Sequence, residues 1–320
     1  MFLLIASGCG IGPVLAQVPV AVKARLREPI RPIPIDQNLD SRKAALGEQL
    51  FHEQKLSRDN SISCASCHNL SQGGVDRRVH SLGIGKTEGQ INAPTVFNCG
   101  LNFKQFWDGR ANSLDEQVDG PLQNPEEMGS TWDSVLIKLR ASPQYAAAFG
   151  RIYPDGIQRK NIKDAIAQFE RSLTTPNGRF DKYLRGDENA LTAEEKEGYH
   201  KFKAYGCASC HQGVNIGGNM FEKFGAMTDY FSGRRALTKA DYGRFNVTGK
   251  EEDRFVFKVP SLRNVALTPP YFHDGSAERL EDAVAIMGKS QLGRDLTKQD
   301  VDQIVKFLGT LSGNYAGKAL

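Results

Sequence analysis

The stretch Cys64-Ala65-Ser66-Cys67-His68 recurs later in the chain as Cys207-Ala208-Ser209-Cys210-His211. Each copy has two cysteines three positions apart, with a histidine directly after the second. Two thiols at this spacing lie on one face of a helical turn and can add to the two vinyl groups of one porphyrin, while the next imidazole binds the iron. The repeat therefore predicts two covalently attached haem c groups, with His68 and His211 as their proximal ligands.

Two other uses of paired cysteines remain open at this point. A C-x-x-C pair is also half of a zinc ribbon, and it is the redox motif of thioredoxin-like proteins. The histidine after both pairs and the lack of a βαβ pattern around them favour haem over either alternative. The other two cysteines are Cys9 and Cys99, and we interpret Cys99 as a small buried residue.

Length and composition indicate an ordinary globular protein of about two domains. The chain has 320 residues, of which 40% are hydrophobic and 24% are charged. Its 41 basic and 37 acidic residues give a net charge of +4, an excess too small and too evenly spread to indicate nucleic acid binding. Beyond the N-terminus no apolar stretch is long enough to predict a membrane span.

The first 16 residues, MFLLIASGCGIGPVLA, are apolar and uncharged and resemble the hydrophobic part of a secretory signal. Val14-Leu15-Ala16 is the predicted cleavage site. A second interpretation makes Ala6-Ser7-Gly8-Cys9 a lipoprotein box with a lipid anchor on Cys9, and a third leaves the segment unprocessed. Because haem c is attached outside the bacterial cytoplasm, export to the periplasm agrees with the two haem motifs.

The rest of the chain predicts a mainly α protein built from a duplicated unit. Residues 17–39 contain four prolines and indicate an extended arm. Helical patterns follow in residues 40–177, and the break at Thr175-Pro176-Asn177-Gly178 separates them from a second set in residues 178–320. Each set contains a helix, a C-x-x-C-H motif, a long loop and further helices, so we predict two cytochrome c-like domains. Helices are expected to begin near Asp40, Asn161, Thr192, Leu280 and Thr297.

Seven strings in these two domains resemble the bacterial dihaem cytochrome c peroxidases. They are SCASCHNLSQGGVD from Ser63, INAPTVFN from Ile91, FWDGRA from Phe106, GPLQNPEEM from Gly120, GRFDKYLRGDENALTAEE from Gly178, VPSLRNVALTPPYFHDG from Val259 and AVAIMG from Ala283. The resemblance implies two cytochrome c-like domains whose haems face each other across the interface. It also implies reduction of hydrogen peroxide to water with electrons from a small cytochrome c or cupredoxin, and a homodimer.

The resemblance further assigns different roles to the two haems. Met287 matches the methionine that completes the coordination of the family's high-potential haem, which makes the second haem the electron-entry site. The first haem is then the peroxide site, where a nearby acid or base must move a proton between the two oxygens. Glu127 in the string Asn124-Pro125-Glu126-Glu127-Met128 matches that residue, and Gln117 matches an amide of the same pocket.

The loop after the first motif departs from the better-known members of the family. Those members keep the first haem inactive with a distal histidine, and a gap-free match puts Ile84 at that position. His80 is the only histidine in this loop. Either His80 is a shifted distal ligand, or it is a surface residue and the first haem is already five-coordinate or water-bound.

Three further roles rest on the resemblance alone. Trp107 matches a tryptophan that lies between the haems and relays electrons. The side chain of Asn92 and the backbone carbonyls of Thr268 and Pro270 match the ligands of a calcium ion between the domains, which is a set of oxygen donors as a hard cation prefers. His273 is expected to be a hydrogen-bonded interface residue rather than a metal ligand.

Two other functions compete with a peroxidase. A dihaem electron-transfer cytochrome would need two six-coordinate irons and a pocket without an acid, which the presence of Glu127 disfavours. A dihaem oxygenase would act on a partner protein, but relatives with that activity carry tyrosine at the position of Met287.

Overall fold

The computed structural model describes residues 28–234 and 236–320, and over these residues the chain is mainly helical, as predicted. The signal segment, its cleavage site and Cys9 lie outside the described residues. The α-helices are α1 Ser41–Phe51, α2 Cys64–Cys67, α3 Leu114–Gln117, α4 Asp119–Gln123, α5 Trp132–Arg140, α6 Pro143–Ile152, α7 Arg159–Ser172, α8 Arg179–Leu184, α9 Ala193–Ala204, α10 Phe245–Thr248, α11 Leu280–Leu292 and α12 Lys298–Gly309. None of these helices combines the length and the apolar character that a membrane crossing requires.

Two small antiparallel strand pairs accompany the helices. Strand β1 (Phe221–Lys223) pairs with β2 (Val256–Lys258), and β3 (Asn314–Tyr315) pairs with β4 (Lys318–Ala319). In the first pair Phe221 lies opposite Lys258 and Lys223 lies opposite Val256. This pair lies between the second haem motif and α11, within a region that is otherwise loops and single turns.

Helices α1 and α7 form the centre of the first half. The side chain of Asp40 accepts hydrogen bonds from the N–H groups of Arg42 and Lys43 at 3.0 and 3.3 Å, which caps α1 where the sequence predicts its start. A Cβ atom on Gly47 would clash with the carbonyl oxygen of Ala165 and lie 2.8 Å from the Cβ of Phe169. The backbones of the two helices therefore approach each other at a point where only glycine fits.

The second half repeats this arrangement with α9 and α12. Thr192 and Glu195 form the predicted capping box at the start of α9. A Cβ atom on Gly198 would clash with the carbonyl oxygen of Gln303 and lie 3.0 Å from the Cβ of Phe307. In both halves the glycine belongs to the helix that precedes the haem motif, and its partner belongs to the last long helix of that half.

Each of these helix pairs is the centre of its own apolar core. The first core contains fully buried side chains of α1, α5, α6 and α7, including Leu46, Leu50, Val135, Leu139, Phe149, Ile162 and Ile166. The second contains those of α8, α9 and α12, including Phe180, Tyr199, Phe202, Ile304, Phe307 and Leu308. Helix α7 ends at Ser172 and α8 begins at Arg179, so the residues between them, 173–178, belong to neither helix.

A second internal repeat lies downstream of each haem motif. The string APTVFN from Ala93 corresponds to VPSLRN from Val259. Both strings end in an asparagine with left-handed backbone, Asn98 and Asn264, each with φ of 61°. Each asparagine begins a single 3₁₀ turn, so the two copies share backbone conformation as well as sequence.

The repeat continues into a pair of tight loops. FWDG from Phe106 corresponds to FHDG from Phe272, and the two phenylalanines have φ of 68° and 72°. Isolated antiparallel bridges close these loops at Gln105–Ala111 and Tyr271–Ala277. We call Gln105–Ala111 the tryptophan loop and Tyr271–Ala277 the histidine loop.

The two halves meet through equivalent residues of these repeats. The N–H of Lys258 donates to the carbonyl of Trp107 at 2.8 Å, and the N–H of Asn92 donates to the carbonyl of His273 at 2.7 Å. Asn92 and Lys258 each precede their six-residue string by one position, so the two bonds are equivalent under the internal repeat. These two backbone hydrogen bonds between the halves are therefore reciprocal.

The predicted arm is extended in residues 28–39, and it packs on the second half. Ile30 and Ile33 are buried there. Arg263, which is itself buried, donates to a backbone carbonyl of the arm at 2.9 Å and pairs with Asp181 at 2.8 Å. The N–H of Ile33 also donates to Asp181 at 3.2 Å. The arm therefore adds to the second core instead of only crossing the surface.

Replacement of Gly47 by alanine is expected to destabilise the fold by about 1–3 kcal/mol, because an added methyl group must push α1 away from α7. Gly150 in α6 is a matched control, since no atom lies within 4 Å of a Cβ added there. Alanine at Gly150 should leave stability unchanged or raise it by about 0.5–1 kcal/mol. The midpoint of denaturant unfolding measures both, and equal midpoints for the two variants would contradict the close helix approach.

Candidate functional site

The two C-x-x-C-H motifs each form a single turn with unbridged cysteines. The first is α2, whose start is capped reciprocally by Ser63 and Ser66. The second is a 3₁₀ turn over Cys207–Ser209. Cys64 and Cys67 line one cavity, and Cys207 and Cys210 line another. Each motif therefore has its own cavity.

Both motif histidines are held in the same way. Nδ1 of His68 lies 3.3 Å from the carbonyl oxygen of Gly74, and Nδ1 of His211 lies 3.3 Å from that of Ile216. A proton on Nδ1 satisfies each carbonyl and leaves Nε2 available as a ligand. Burial lowers the pKa of His211 to about 4 and also lowers the pKa of His68. Both imidazoles are therefore neutral at neutral pH, the form that binds a metal ion.

The first cavity brings together most of the residues predicted for the peroxide site. It has a volume of about 60 Å³ and contains Cys64, Cys67, His68, Gln117 and Glu127 in its wall. The remaining wall is mainly apolar and consists of Leu56, Ile62, Val118, Pro121, Leu122, Met128 and Ile166, with Ser63 and Glu170. A proximal ligand, an amide and a carboxyl group thus share one largely dry pocket.

Glu127 is the carboxyl group of the NPEEM string that reaches this cavity. Its Oε1 accepts a hydrogen bond from Nδ2 of Asn124 at 2.7 Å. Burial raises the pKa of Glu127, and the hydrogen bond from Asn124 acts against that rise. The neighbouring Glu126 does not line the cavity and accepts from Nε2 of Gln90 at 3.1 Å. Glu127 therefore lies in the wall of the cavity, whereas Glu126 lies outside it.

The loop that carries Ile84 packs directly against this segment. The N–H of Ile84 donates to the carbonyl of Glu127 at 2.8 Å, and the Ile84 side chain is buried. His80 lies outside both cavities, with Nδ1 3.2 Å from the carboxylate of Glu88. The structure does not bring His80 to the first cavity, which favours the interpretation of His80 as a surface residue.

The second cavity is larger and contains the predicted sulfur ligand. It has a volume of about 260 Å³, and Cys207, Cys210, His211, Met287 and Trp107 belong to its wall. Met287 lies on α11, three residues after the buried Val284. Neither of the other two methionines of the second half lines this cavity. One of them, Met227, is 66% exposed.

The internal repeat gives Met287 an exact counterpart in the first half. Aligning the tryptophan and histidine loops without gaps pairs Leu114 with Leu280 and Val118 with Val284. The same alignment pairs Pro121 with Met287. Pro121 lines the first cavity and has no side-chain donor atom. One helix position thus carries a sulfur in the second cavity and only carbon in the first.

Trp107 connects the two halves. Its indole Nε1 donates to the carbonyl of Asn92 at 2.9 Å, and its ring meets that of His273 edge-to-face at 6.4 Å between centroids. His273 is buried and its Nε2 lies 2.8 Å from Asp241, which also pairs with Arg234. His273 is therefore a hydrogen-bonded interface residue, as predicted.

The three predicted calcium ligands, Asn92, Thr268 and Pro270, all belong to the wall of the second cavity. Nδ2 of Asn92 donates to the carbonyls of Arg78 and Val79 at 2.9 and 3.2 Å, which fixes the orientation of this amide. Among the described residues, no backbone N–H donates to the carbonyl of Thr268 or Pro270. These oxygen donors are of the type that a hard cation prefers.

Two buried ionisable residues in the cavity walls were not predicted from the sequence. Glu170 lines the first cavity, its Oε2 has no hydrogen-bond partner, and burial raises its pKa to about 8. Lys258 lines the second cavity, and burial lowers its pKa to about 8. Glu170 has a signal in the sequence, because it follows Ile166 by four positions on the apolar face of α7. The short strand β2 contains no sequence pattern that would predict a buried Lys258.

Comparison with known proteins agrees with this arrangement. Residues 41–189 match the family model of the di-haem cytochrome c peroxidases. The chain is 52% identical to a cytochrome c peroxidase of Escherichia coli (strain K12), over 90% of this chain and 62% of that protein. It is 48% identical to the cytochrome c551 peroxidase of Nitrosomonas europaea, over 90% of this chain and 85% of that protein.

A solved structure is also similar. The crystal structure of a MauG-like protein associated with microbial copper homeostasis superposes with a TM-score of 0.77 at 28% identity. The superposition covers 88% of this chain and 93% of that one. The fold and the two motif cavities define a di-haem protein of mainly helical structure. The chain belongs to the di-haem cytochrome c peroxidase family, oxidoreductases that act on peroxide, and the predicted family is confirmed.

The residues present fit the two haem groups of this family. Each cavity has two unbridged thiols and a neutral histidine whose Nδ1 is directed to a backbone carbonyl. The rest of each wall is mainly apolar, which suits the body of a porphyrin. The walls differ in their donors: Met287 lines the second cavity, whereas the equivalent Pro121 in the first has no side-chain donor atom.

Replacement of Met287 by leucine is expected to lower the midpoint potential of the second haem, because a thioether ligand favours the ferrous state. A shift of at least tenfold in the redox equilibrium, 59 mV for one electron, is expected. Met227→Leu is the matched control, since this exposed methionine lies outside the cavity wall. Spectroscopic redox titration measures both variants, and equal potentials would exclude Met287 as a ligand.

Proposed function

We propose that this protein reduces hydrogen peroxide to water at the first cavity, with electrons that enter at the second. Two electrons and two protons convert one peroxide molecule to two water molecules. The observation that carries the proposal is the difference between the duplicated cavities. The first has Glu127 and Gln117 in its wall and Pro121 at the ligand position, whereas the second has Met287 there.

The haem irons would supply the redox chemistry. Cys64 and Cys67 would hold one haem with His68 as axial ligand, and Cys207 and Cys210 would hold the other with His211. In the second cavity Met287 would close the remaining iron position to peroxide. In the first, Pro121 has no donor atom, so the iron would be accessible to a small oxidant.

Glu127 is suited to move a proton between the two oxygens of peroxide. Its raised pKa makes the carboxylate a better proton acceptor than an exposed glutamate. The hydrogen bond from Asn124 to Oε1 and the bond from Ile84 to the Glu127 carbonyl fix the position of this residue. Gln117 in the same wall can donate a hydrogen bond to a bound oxygen.

Electrons would pass between the halves by way of Trp107. The indole lines the second cavity and belongs to the loop that exchanges a hydrogen bond with Lys258. An aromatic ring in this gap lowers the tunnelling barrier compared with aliphatic packing. The donor would be a small soluble cytochrome c or a cupredoxin.

The proposal also includes a bound calcium ion, export to the periplasm and a homodimer. A calcium ion on Asn92, Thr268 and Pro270 would stiffen the interface beside Trp107. Export to the periplasm would bring the chain to the compartment where haem c is attached. A homodimer remains a prediction from the family resemblance. The division into domains at residues 40–177 and 178–320 remains a prediction from the sequence pattern.

The two competing functions have less support. A pure electron carrier has no use for a buried carboxyl group beside an open ligand position, which Glu127 and Pro121 together provide. An oxygenase of a partner protein would have tyrosine at the position of Met287.

Replacement of Glu127 by glutamine is expected to reduce peroxide turnover at least 100-fold, because the proton shuttle is lost while the shape of the pocket is kept. Glu126→Gln is the matched control, since its carboxylate lies outside the cavity and turnover should change less than twofold. Oxidation of a reduced cytochrome c after peroxide addition measures the rate. Full turnover in Glu127→Gln with both haems bound would remove Glu127 from the mechanism.

The fully ferric protein is expected to show a high-spin first haem, because His80 lies outside the cavity and Pro121 supplies no ligand. His80→Ala should leave the ferric spin-state spectrum unchanged. Electron paramagnetic resonance before and after addition of one electron per molecule provides the measurement. A purely low-spin ferric spectrum that becomes high-spin in His80→Ala would instead identify His80 as a resting ligand.

A further inference from the structure

Lys258 occupies an unusual position for a lysine. It is the last residue of β2, only 7% exposed, and it lines the second cavity. Its N–H is fixed by the hydrogen bond to the carbonyl of Trp107, at the contact between the halves. The start of the side chain is therefore held rigidly beside the cavity.

No carboxylate of residues 28–234 or 236–320 pairs with this ammonium group. Glu222 is the one acidic residue in the wall of the second cavity. It lies opposite Phe257 in the strand pair, so it is on the other face from Lys258 and Phe221. Glu222 accepts a hydrogen bond from the N–H of Lys223 instead.

A nearby thiol does not supply the missing negative charge either. Cys99 is the group whose charge would attract Lys258, but burial raises the pKa of Cys99 well above its usual range. The thiol is therefore neutral at physiological pH. A charged ammonium group in this position, with no protein anion beside it, has an unfavourable desolvation free energy.

A haem carries two propionates, and the rest of the cavity wall is mainly apolar. We propose that the ammonium group of Lys258 binds a propionate of the haem attached at Cys207 and Cys210 and raises the midpoint potential of that haem. This inference depends on one part of the proposed function, which is the haem attached at the second motif. Removal of the cation leaves a carboxylate uncompensated near the iron, which stabilises the ferric state.

The internal repeat makes this charge specific to one haem. Lys258 corresponds to Asn92 in the first half, which is neutral. The two halves therefore differ in charge at this position as well as in sulfur at Met287. Both differences act in the same direction, since each favours the ferrous form of the second haem over that of the first.

The test is a redox titration of the intact dihaem protein with Lys258→Met, which keeps the length of the side chain and removes its charge. The midpoint potential of the second haem should fall by at least 59 mV, a tenfold change in the redox equilibrium. The midpoint potential of the first haem should not change. Lys258→Arg should change the redox equilibrium of the second haem by less than threefold relative to the unchanged protein. Lys223→Met is the matched control, because Lys223 also borders the cavity but is exposed to solvent.

The outcomes separate this inference from the proposed function. Absence of thioether-linked haem at the second motif of the unchanged protein would overturn the proposed function. Attached haem with an unchanged potential in Lys258→Met would overturn the inference alone. If Lys258→Met does not mature, Lys258→Gln and Lys258→Arg decide: a lower potential with glutamine supports the inference, and equal potentials overturn it. Loss of the second haem in all three variants would also overturn it, because arginine keeps the charge.

Discussion

The close approach of two helices at a glycine is the contact on which each half depends. At Gly47 and at Gly198 the partner helix presents a backbone carbonyl where a side chain would otherwise be. The short distance draws the helix before each haem motif onto the last long helix of its half. The motif turn that follows is thereby anchored to a rigid pair of helices, and its histidine acquires a fixed backbone acceptor.

The contact between the halves follows the same repeated plan. Asn92 and Lys258 exchange backbone hydrogen bonds with the histidine and tryptophan loops, so each half is completed by the other. Near symmetry of the backbone leaves the side chains free to differ. The differences fall at positions for which we propose functional roles: tryptophan against histidine in the loops, asparagine against lysine beside them, and proline against methionine on the following helix.

Local patterns in the sequence predicted most of the framework. The caps at Asp40 and Thr192 and the apolar faces of α7 and α12 depend on residues close in the chain, and all of these agree with the structure. The two C-x-x-C-H motifs are equally local, and their cysteines and histidines line the two cavities. Contacts between distant residues could not be predicted in this way. Burial of Ile33 depends on Arg263 and Asp181, and the isolation of the Lys258 ammonium depends on which groups fold around it. Family resemblance, and not periodicity, led to Glu127 and Met287.

The pairing of Pro121 with Met287 also bears on how such a molecule could arise. A duplicated gene first yields two identical units, and identical units have no reason to divide their labour. At one aligned helix position this chain has methionine in the second half and proline in the first, and our proposal gives the two cavities different roles at that position. Specialisation after duplication would then need few steps, since the scaffold, the attachment chemistry and the contact between copies were already in place. Two haem-binding units could thus become an oxidant site and its electron supply without any new fold.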